Sequence, residues 1–142
     1  MPATDLSGAV PPARPVICLV EDHQDTRQMY EEFLSVSFEV MAAADGARAL
    51  ELMRTTRPDL LITDLSLPGI DGFELVALIR KDPALGHLPI ICLSGYGGHG
   101  HEQRALEAGC DRVLQKPYMP DALAAVALEV LHSVRNRGME SS

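Results

Sequence analysis

The hydrophobic positions of the chain form five short apolar runs separated by longer mixed segments. The runs cover residues 16–21, 38–43, 60–63, 90–94 and 112–115. They are rich in Val, Ile and Leu, and each is shorter than an ordinary helix. Because short apolar runs bounded by polar segments are typical of strands buried on both faces, the pattern predicts five β-strands.

The segments between these runs show helical spacing. It is clearest near the C-terminus, where apolar residues recur at i, i+3 and i+4: Leu123, Val126, Ala127, Val130, Leu131 and Val134. Asp45-Gly46 and Asp71-Gly72 predict helix starts, Asp25 is expected to cap the first helix, and Gly109 predicts the end of a short fourth helix near residues 101–108. Five strands alternating with five helices predict a parallel sheet with helices on both faces, which is a doubly wound α/β fold.

Composition limits the classes of function. With 142 residues the chain is most simply one domain, and its net charge of −8 argues against a nucleic-acid binder, which would need a basic surface. No apolar stretch is long enough to span a membrane. Three cysteines without a CxxC pair indicate reduced thiols, so we expect a cytoplasmic protein.

The two ends of the chain differ in composition from the middle. Residues 1–15 contain four of the ten prolines and predict a flexible leader, residues 16–135 predict the folded domain, and residues 136–142 predict a frayed tail. We expect no output domain after the fifth helix. One edge of that helix is a candidate dimer surface, so a monomer or a weak homodimer is expected.

Polar residues follow four of the five predicted strands. Glu21-Asp22 ends the first strand, Asp64 the third, Ser94 the fourth and Lys116 the fifth. In open parallel sheets, ligands bind at the carboxyl ends of the strands. If the strand order is 2-1-3-4-5, the first and third strands are neighbours and their carboxylates converge.

Charge repulsion indicates what such a cluster would bind. Two carboxylates about 5 Å apart repel by roughly 3 kcal/mol at an effective dielectric constant near 20. A cation or a proton must therefore compensate them, and an all-oxygen, partly hydrated site suits Mg²⁺. Lys116 offers a positive charge for a phosphate oxygen, and Asp64 is then available as a nucleophile.

Four stretches in this order resemble the receiver domain of two-component response regulators, from about residue 16 to residue 135. They are "LVEDHQDTR", "LLITDLSLPGIDGFEL", "PIICLSG" and "VLQKPY". The resemblance implies a flavodoxin-like (βα)5 fold with strand order 2-1-3-4-5. Because no output domain is expected after the fifth helix, we predict a receiver of the stand-alone type. It also implies that the Lys116-Pro117 peptide bond is cis.

The resemblance assigns a role to each site residue. Asp64 would accept a phosphoryl group from the phosphohistidine of a sensor histidine kinase or histidine phosphotransfer protein. Glu21, Asp22 and Asp64, with the backbone carbonyl of Ser66, would hold Mg²⁺. Lys116 would contact the phosphoryl group and Ser94 would shift toward it. The switch would change affinity for a downstream protein target, without a separate catalytic domain.

One position departs from the family pattern. The residue three before the lysine is usually Tyr or Phe, whose ring rotates when the hydroxyl residue moves, and here it is Val113. Chemistry at Asp64 should be unaffected, whereas the way in which phosphorylation is read at the fourth and fifth strands should differ.

Other interpretations of the same residues remain open. A flavodoxin-type FMN binder would need a Ser/Thr/Gly-rich loop after the first strand, where this chain has Glu-Asp-His-Gln-Asp. A haloacid-dehalogenase-like phosphatase would need a second carboxylate two residues after Asp64, where this chain has Ser66. A phosphorylation-independent interaction module and the receiver portion of a hybrid kinase are further alternatives. His99 and His101 form only a weak metal pattern, and the Gly-rich loop around them predicts flexibility.

Overall fold

A computed structural model describes residues 14–95 and 100–140, and within 135–140 it describes the backbone alone. The described residues form five strands: β1 (Val16–Val20), β2 (Glu39–Ala43), β3 (Leu60–Asp64), β4 (Ile90–Ser94) and β5 (Arg112–Gln115). Five helices alternate with them: α1 (Gln24–Leu34), α2 (Gly46–Thr55), α3 (Gly72–Lys81), α4 (His101–Ala108) and α5 (Pro120–Glu140).

The strands form one parallel sheet in the order β2-β1-β3-β4-β5. This confirms the predicted (βα)5 doubly wound fold with strand order 2-1-3-4-5. β1 and β3 are central neighbours, with Val20 opposite Thr63, and β4 continues the sheet with Leu93 opposite Asp64. The carboxyl ends of these three strands therefore meet at one edge of the sheet.

Alternate residues of the central strands face opposite layers of core. Cys18 and Leu61 pack on the side covered by α2, α3 and α4, while Ile17 and Ile62 pack on the side of α1 and α5. Both faces of the central strands are buried, which explains why these segments appear in the sequence as continuous apolar runs.

Helix starts follow the predicted caps in α2 and α3. Asp45 accepts a hydrogen bond from the backbone N–H of Arg48, and Asp71 forms a reciprocal capping box with Glu74. The prediction for the first helix was wrong. His23 is the N-cap of α1, because its Nδ1 accepts the N–H of Thr26, and Asp25 lies inside the first turn.

The predicted boundaries fall partly outside the described residues. Most of the 1–15 leader and most of the Gly-rich loop, including His99, lie there. The helix α5 extends to Glu140, beyond residue 135, where the domain was expected to end. No helix among the described residues is both long and apolar enough to cross a membrane.

Candidate functional site

Three carboxylates converge where β1 and β3 end. Glu21, Asp22 and Asp64 each offer an oxygen atom, and these oxygens all lie within 4.8 Å of one another. Glu21 is 1% exposed and Asp64 5% exposed, whereas Asp22 faces solvent. The convergence follows from the strand order, because residues that leave adjacent parallel strands share one edge of the sheet.

Lys116 contacts two of these carboxylates. Its Nζ donates hydrogen bonds to Oε1 of Glu21 at 2.5 Å and to Oδ2 of Asp64 at 2.9 Å. Burial by itself lowers the pKa of the Lys116 ammonium, but the hydrogen bonds to Glu21 and Asp64 outweigh burial and raise that pKa above its ordinary value. The lysine therefore stays charged at neutral pH and offsets one of the three negative charges.

The backbone around Asp64 is tightly packed. The N–H of Ser66 donates to Oδ1 of Asp64 at 3.3 Å, and the hydroxyl of Thr63 donates to the carbonyl of Asp64 at 3.0 Å. A Cβ atom added at Gly72 would lie 2.4 Å from the same carbonyl oxygen. The start of α3 thus packs closely against the end of β3, and this contact leaves the backbone of Asp64 little room to move.

Ser94 lies on the neighbouring strand end. It is 3% exposed, and its carbonyl accepts the N–H of Lys116 at 2.8 Å. Beside it is a cavity of about 230 Å³. Its walls include Ser66, Leu67, Phe73, Ser94, Gly95 and His101. Ser94 therefore binds the lysine loop through its backbone and lines a cavity that also borders Leu65 and Ser66, the two residues after Asp64.

Three features singled out in the sequence lie at the margin of this site. Val113 is half-buried on β5, where it pairs in register with Cys92 and packs against the core on the α3 and α4 side. His101 meets Phe73 edge-on with the ring centroids 6.1 Å apart. The Lys116-Pro117 peptide bond is cis, as the resemblance implied.

Sequence reasoning missed residues that hold the site from outside. Nη1 of Arg27 donates to the carbonyl of Glu21 at 2.9 Å and so fastens the turn between β1 and α1. An arginine in the first turns of a helix that follows an acidic pair could have predicted this hydrogen bond from the sequence. The hydroxyl of Tyr30 donates to the carbonyl of Tyr118 at 2.8 Å, a contact between residues 88 positions apart that no local pattern indicates.

The donor set fits a magnesium ion. Three carboxylates supply only oxygen ligands, and the single charge on Lys116 leaves an excess of negative charge. Mg²⁺ prefers such hard oxygen ligands and usually keeps part of its water shell, which the exposed Asp22 side of the cluster allows.

Comparisons with known proteins agree with this geometry. The family model described as the response regulator receiver domain matches residues 17–128. The polar-differentiation response regulator DivK of Brucella anthropi is 30% identical over 102 residues, which are 71% of this chain and 83% of DivK. The sensor histidine kinase TmoS of Ectopseudomonas mendocina is 38% identical over 112 residues, which are 79% of this chain but 12% of TmoS. The crystal structure of the chemotaxis protein CheY4 of Vibrio cholerae superposes with a TM-score of 0.78 at 30% identity, covering 83% of this chain and 99% of that one.

Proposed function

This chain belongs to the response regulator receiver domain family, and on that premise we propose that Asp64 accepts a phosphoryl group from a phosphohistidine. The donor would be a sensor histidine kinase or a histidine phosphotransfer protein. The observation that carries the proposal is the shared ammonium of Lys116, which contacts both Asp64 and Glu21 at the acidic edge of the sheet. Membership of the family sets aside the flavodoxin-type and haloacid-dehalogenase-like alternatives.

The residues of the chain suit an in-line transfer. A carboxylate oxygen of Asp64 attacks phosphorus, and the P–N bond breaks while the leaving imidazole nitrogen keeps the electron pair and takes up a proton. The product is an aspartyl phosphate. Lys116 is close enough to exchange its contact with Oδ2 of Asp64 for one with a phosphoryl oxygen, so the positive charge stays beside the charge that is transferred.

Magnesium is part of the proposal. Glu21, Asp22 and Asp64, with the backbone carbonyl of Ser66, would hold the ion. When bound, Mg²⁺ supplies positive charge that neutralises phosphoryl oxygens during transfer. The three carboxylates bring the negative charge and the oxygen ligands that this ion requires.

The output would be a change in affinity for another protein. Ser94 would move its hydroxyl toward a phosphoryl group on Asp64, and the cavity that Ser94 lines supports this by leaving room for rearrangement. Val113 cannot provide the ring movement expected of an aromatic residue on β5. Such an output needs two conformers of the receiver, one of which phosphorylation favours. A shift of their population ratio from 1:99 to 99:1 requires about 5.5 kcal/mol of differential stabilisation. The receiver itself would act as a phosphoacceptor and not as a separate enzyme.

The cellular location of the receiver and the kind of protein in which it acts stay predictions. All three cysteines are free and buried, which is compatible with the cytoplasmic location expected from the sequence. The similarity to TmoS favours a second setting, in which the same chemistry occurs in the receiver portion of a hybrid kinase. The two settings differ in the phosphohistidine donor, which a phosphotransfer assay with separately purified kinases would identify.

The test is incubation with acetyl phosphate and Mg²⁺ followed by intact-mass measurement. We expect one phosphoryl adduct in the wild type, none in Asp64→Asn and none when EDTA replaces Mg²⁺. Asp59→Asn is the matched control, because Asp59 lies just before the opposite end of β3, where it accepts the N–H of Val16. A folded wild type that forms no adduct would favour the phosphorylation-independent interaction module instead.

A further inference from the structure

The segment that carries Lys116 leaves the sheet at its edge. β5 pairs with β4 alone among the described strands, and the N–H of Lys116 makes the last of the sheet's backbone hydrogen bonds on that side, to Ser94. Pro117 has no N–H to donate. The position of the ammonium therefore depends on what holds the loop after the strand.

Tyr30 of α1 holds that loop by one hydrogen bond. Its hydroxyl donates to the carbonyl of Tyr118 at 2.8 Å. Tyr30 is 2% exposed and belongs to the core cluster of α1 and α5, and the half-buried Tyr118 packs against the same cluster. The ring is thus fixed by core packing, while the hydroxyl reaches a backbone group two residues beyond Lys116.

The phenol also lies within electrostatic reach of the site. Burial raises the pKa of Tyr30, the nearby Lys116 ammonium lowers it, and the carboxylates of Glu21 and Asp64 raise it. The three charged groups therefore influence the phenol electrostatically, while its hydrogen bond goes to the carbonyl of Tyr118 in the loop.

We propose that Tyr30 is a positioning residue, which holds the Lys116–Tyr118 loop against α1 so that the ammonium lies between Glu21 and Asp64. The consequence for phosphoryl transfer rests on the proposed function, whereas the placement of Lys116 does not. An alternative role is core packing alone. Tyr30→Phe separates the two roles, because it keeps the ring and removes only the donor of the hydrogen bond.

The first test measures Lys116 directly and needs no phosphoryl donor. The chain has only two lysines, so exposed Lys81 on α3 serves as an internal reference. Trace labelling of the folded protein with an amine-reactive ester reports how free each ammonium is. We expect the Lys116 to Lys81 labelling ratio to rise by a factor of about 2 to 10 in Tyr30→Phe, the range that one ordinary hydrogen bond allows. An unchanged ratio would overturn the proposal.

Thr55→Val is the matched control for this measurement. It removes a hydroxyl-to-carbonyl hydrogen bond of the same kind, from Thr55 to Glu51 on α2, at 3.1 Å. We expect no change in the labelling ratio for this variant. A similar rise in both variants would mean that the ratio reports general loosening, and the positioning role would be refuted.

The second test asks whether Tyr30 acts through Lys116. Tyr30→Phe should slow phosphorylation by acetyl phosphate by a similar factor, and it should have no further effect in a Lys116→Ala background. Equal slowing in both backgrounds would show that Tyr30 acts by another route. If the wild type forms no adduct at all, the proposed function fails, and the labelling ratio alone decides the role of Tyr30.

Discussion

At the scale of single residues, the site places one ammonium between two buried carboxylates. The side chain of Lys116 is 22% exposed, while those of Glu21 and Asp64 are 2% and 7% exposed. Removing one partner from such a group is costly, because a buried charge then loses its hydrogen bonds and its counter-charge. The same arrangement keeps a positive charge where a phosphoryl group would arrive.

Lys116→Met should destabilise the fold at neutral pH when no Mg²⁺ is present. We expect the free energy of unfolding in urea to fall by about 2 kcal/mol, since hydrogen bonds to charged groups contribute about 1.5–3 kcal/mol each and the lysine is partly solvated. Lys81→Met, on the exposed face of α3, should change the free energy by less than about 0.5 kcal/mol. Equal effects of the two substitutions would contradict the claim that Lys116 stabilises the fold through its contacts with Glu21 and Asp64.

The difference in unfolding free energy between wild type and Lys116→Met should depend on pH, and the direction of that dependence is defined. The pKa of Lys116 is raised in the folded state, after the lowering effect of burial is outweighed by its bonds to Glu21 and Asp64. Its stabilisation is therefore fully present below the ordinary lysine pKa of about 10.4 and is lost as the pH rises through the folded value. We expect the difference between wild type and Lys116→Met to stay constant from neutral pH to about pH 10 and to narrow above it. A difference that already shrinks near neutral pH would argue against this origin.

The three thiols should react in a definite order. Burial raises the pKa of Cys18 to about 12. The hydrogen bond between Cys92 and Cys110 raises the pKa of Cys92 and lowers that of Cys110. Alkylation of the folded protein with iodoacetamide at mildly alkaline pH, read by peptide mapping, should therefore modify Cys110 first. Earlier modification of Cys18 or Cys92 would be inconsistent with these environments.

At the scale of elements, the close contact between α3 and β3 ties the fold to the site. Gly72 is the first residue of α3, and its backbone N–H donates to the carbonyl of Leu65 at 2.9 Å. A side chain at this position would meet backbone atoms of Asp64 and Leu65, which cannot rotate away. The backbone that carries the Asp64 carboxylate is therefore held by a helix that supplies no ligand.

Gly72→Ala should be much more damaging than Gly46→Ala. The two glycines follow capping aspartates at the first position of α3 and α2, so the helix propensity of the new alanine is matched. A Cβ atom would lie 2.4 Å from backbone in the first case and 3.1 Å in the second. We expect a loss of about 2–3 kcal/mol in thermal or urea unfolding for Gly72→Ala and a clearly smaller loss for Gly46→Ala. Similar losses would contradict the tight-contact interpretation.

The elements were largely predictable because apolar periodicity reflects burial directly. The strands β4 and β5 were predicted at their observed bounds, as was the short helix α4. The start of α1 was not, since histidine is an uncommon N-cap and Asp25 offered a better local signal. Convergence of Glu21, Asp22 and Asp64 followed from strand order. The contact from Tyr30 to Tyr118 did not, because tertiary packing alone decides it.

At the scale of the whole molecule, an acidic protein concentrates part of its charge at one edge of its sheet. The net charge is −8, and three carboxylates lie together at the ends of β1 and β3. Their mutual repulsion opposes folding, and a bound divalent cation would remove that cost. Stability and ion binding should therefore be coupled.

Mg²⁺ should raise the unfolding temperature of the wild type in a concentration-dependent manner. A tenfold excess over the dissociation constant should add about 1.4 kcal/mol to the free energy of unfolding. Asp22→Asn should remove most of this gain. Asp25→Asn should retain it, because Asp25 is exposed on α1 and is not a member of the acidic cluster. Equal Mg²⁺ responses in the two variants would place the ion elsewhere.

The central claim is that Asp64 is the phosphoacceptor, and its most direct test locates the modified residue. Borohydride reduces an aspartyl phosphate to homoserine, which marks the acceptor permanently. After treatment with acetyl phosphate and Mg²⁺, tandem mass spectrometry of the peptide that contains Asp59, Asp64 and Asp71 distinguishes the three candidates. We expect homoserine at position 64 alone. Homoserine at position 59 or 71, or an unmodified peptide from a folded protein, would contradict the assignment.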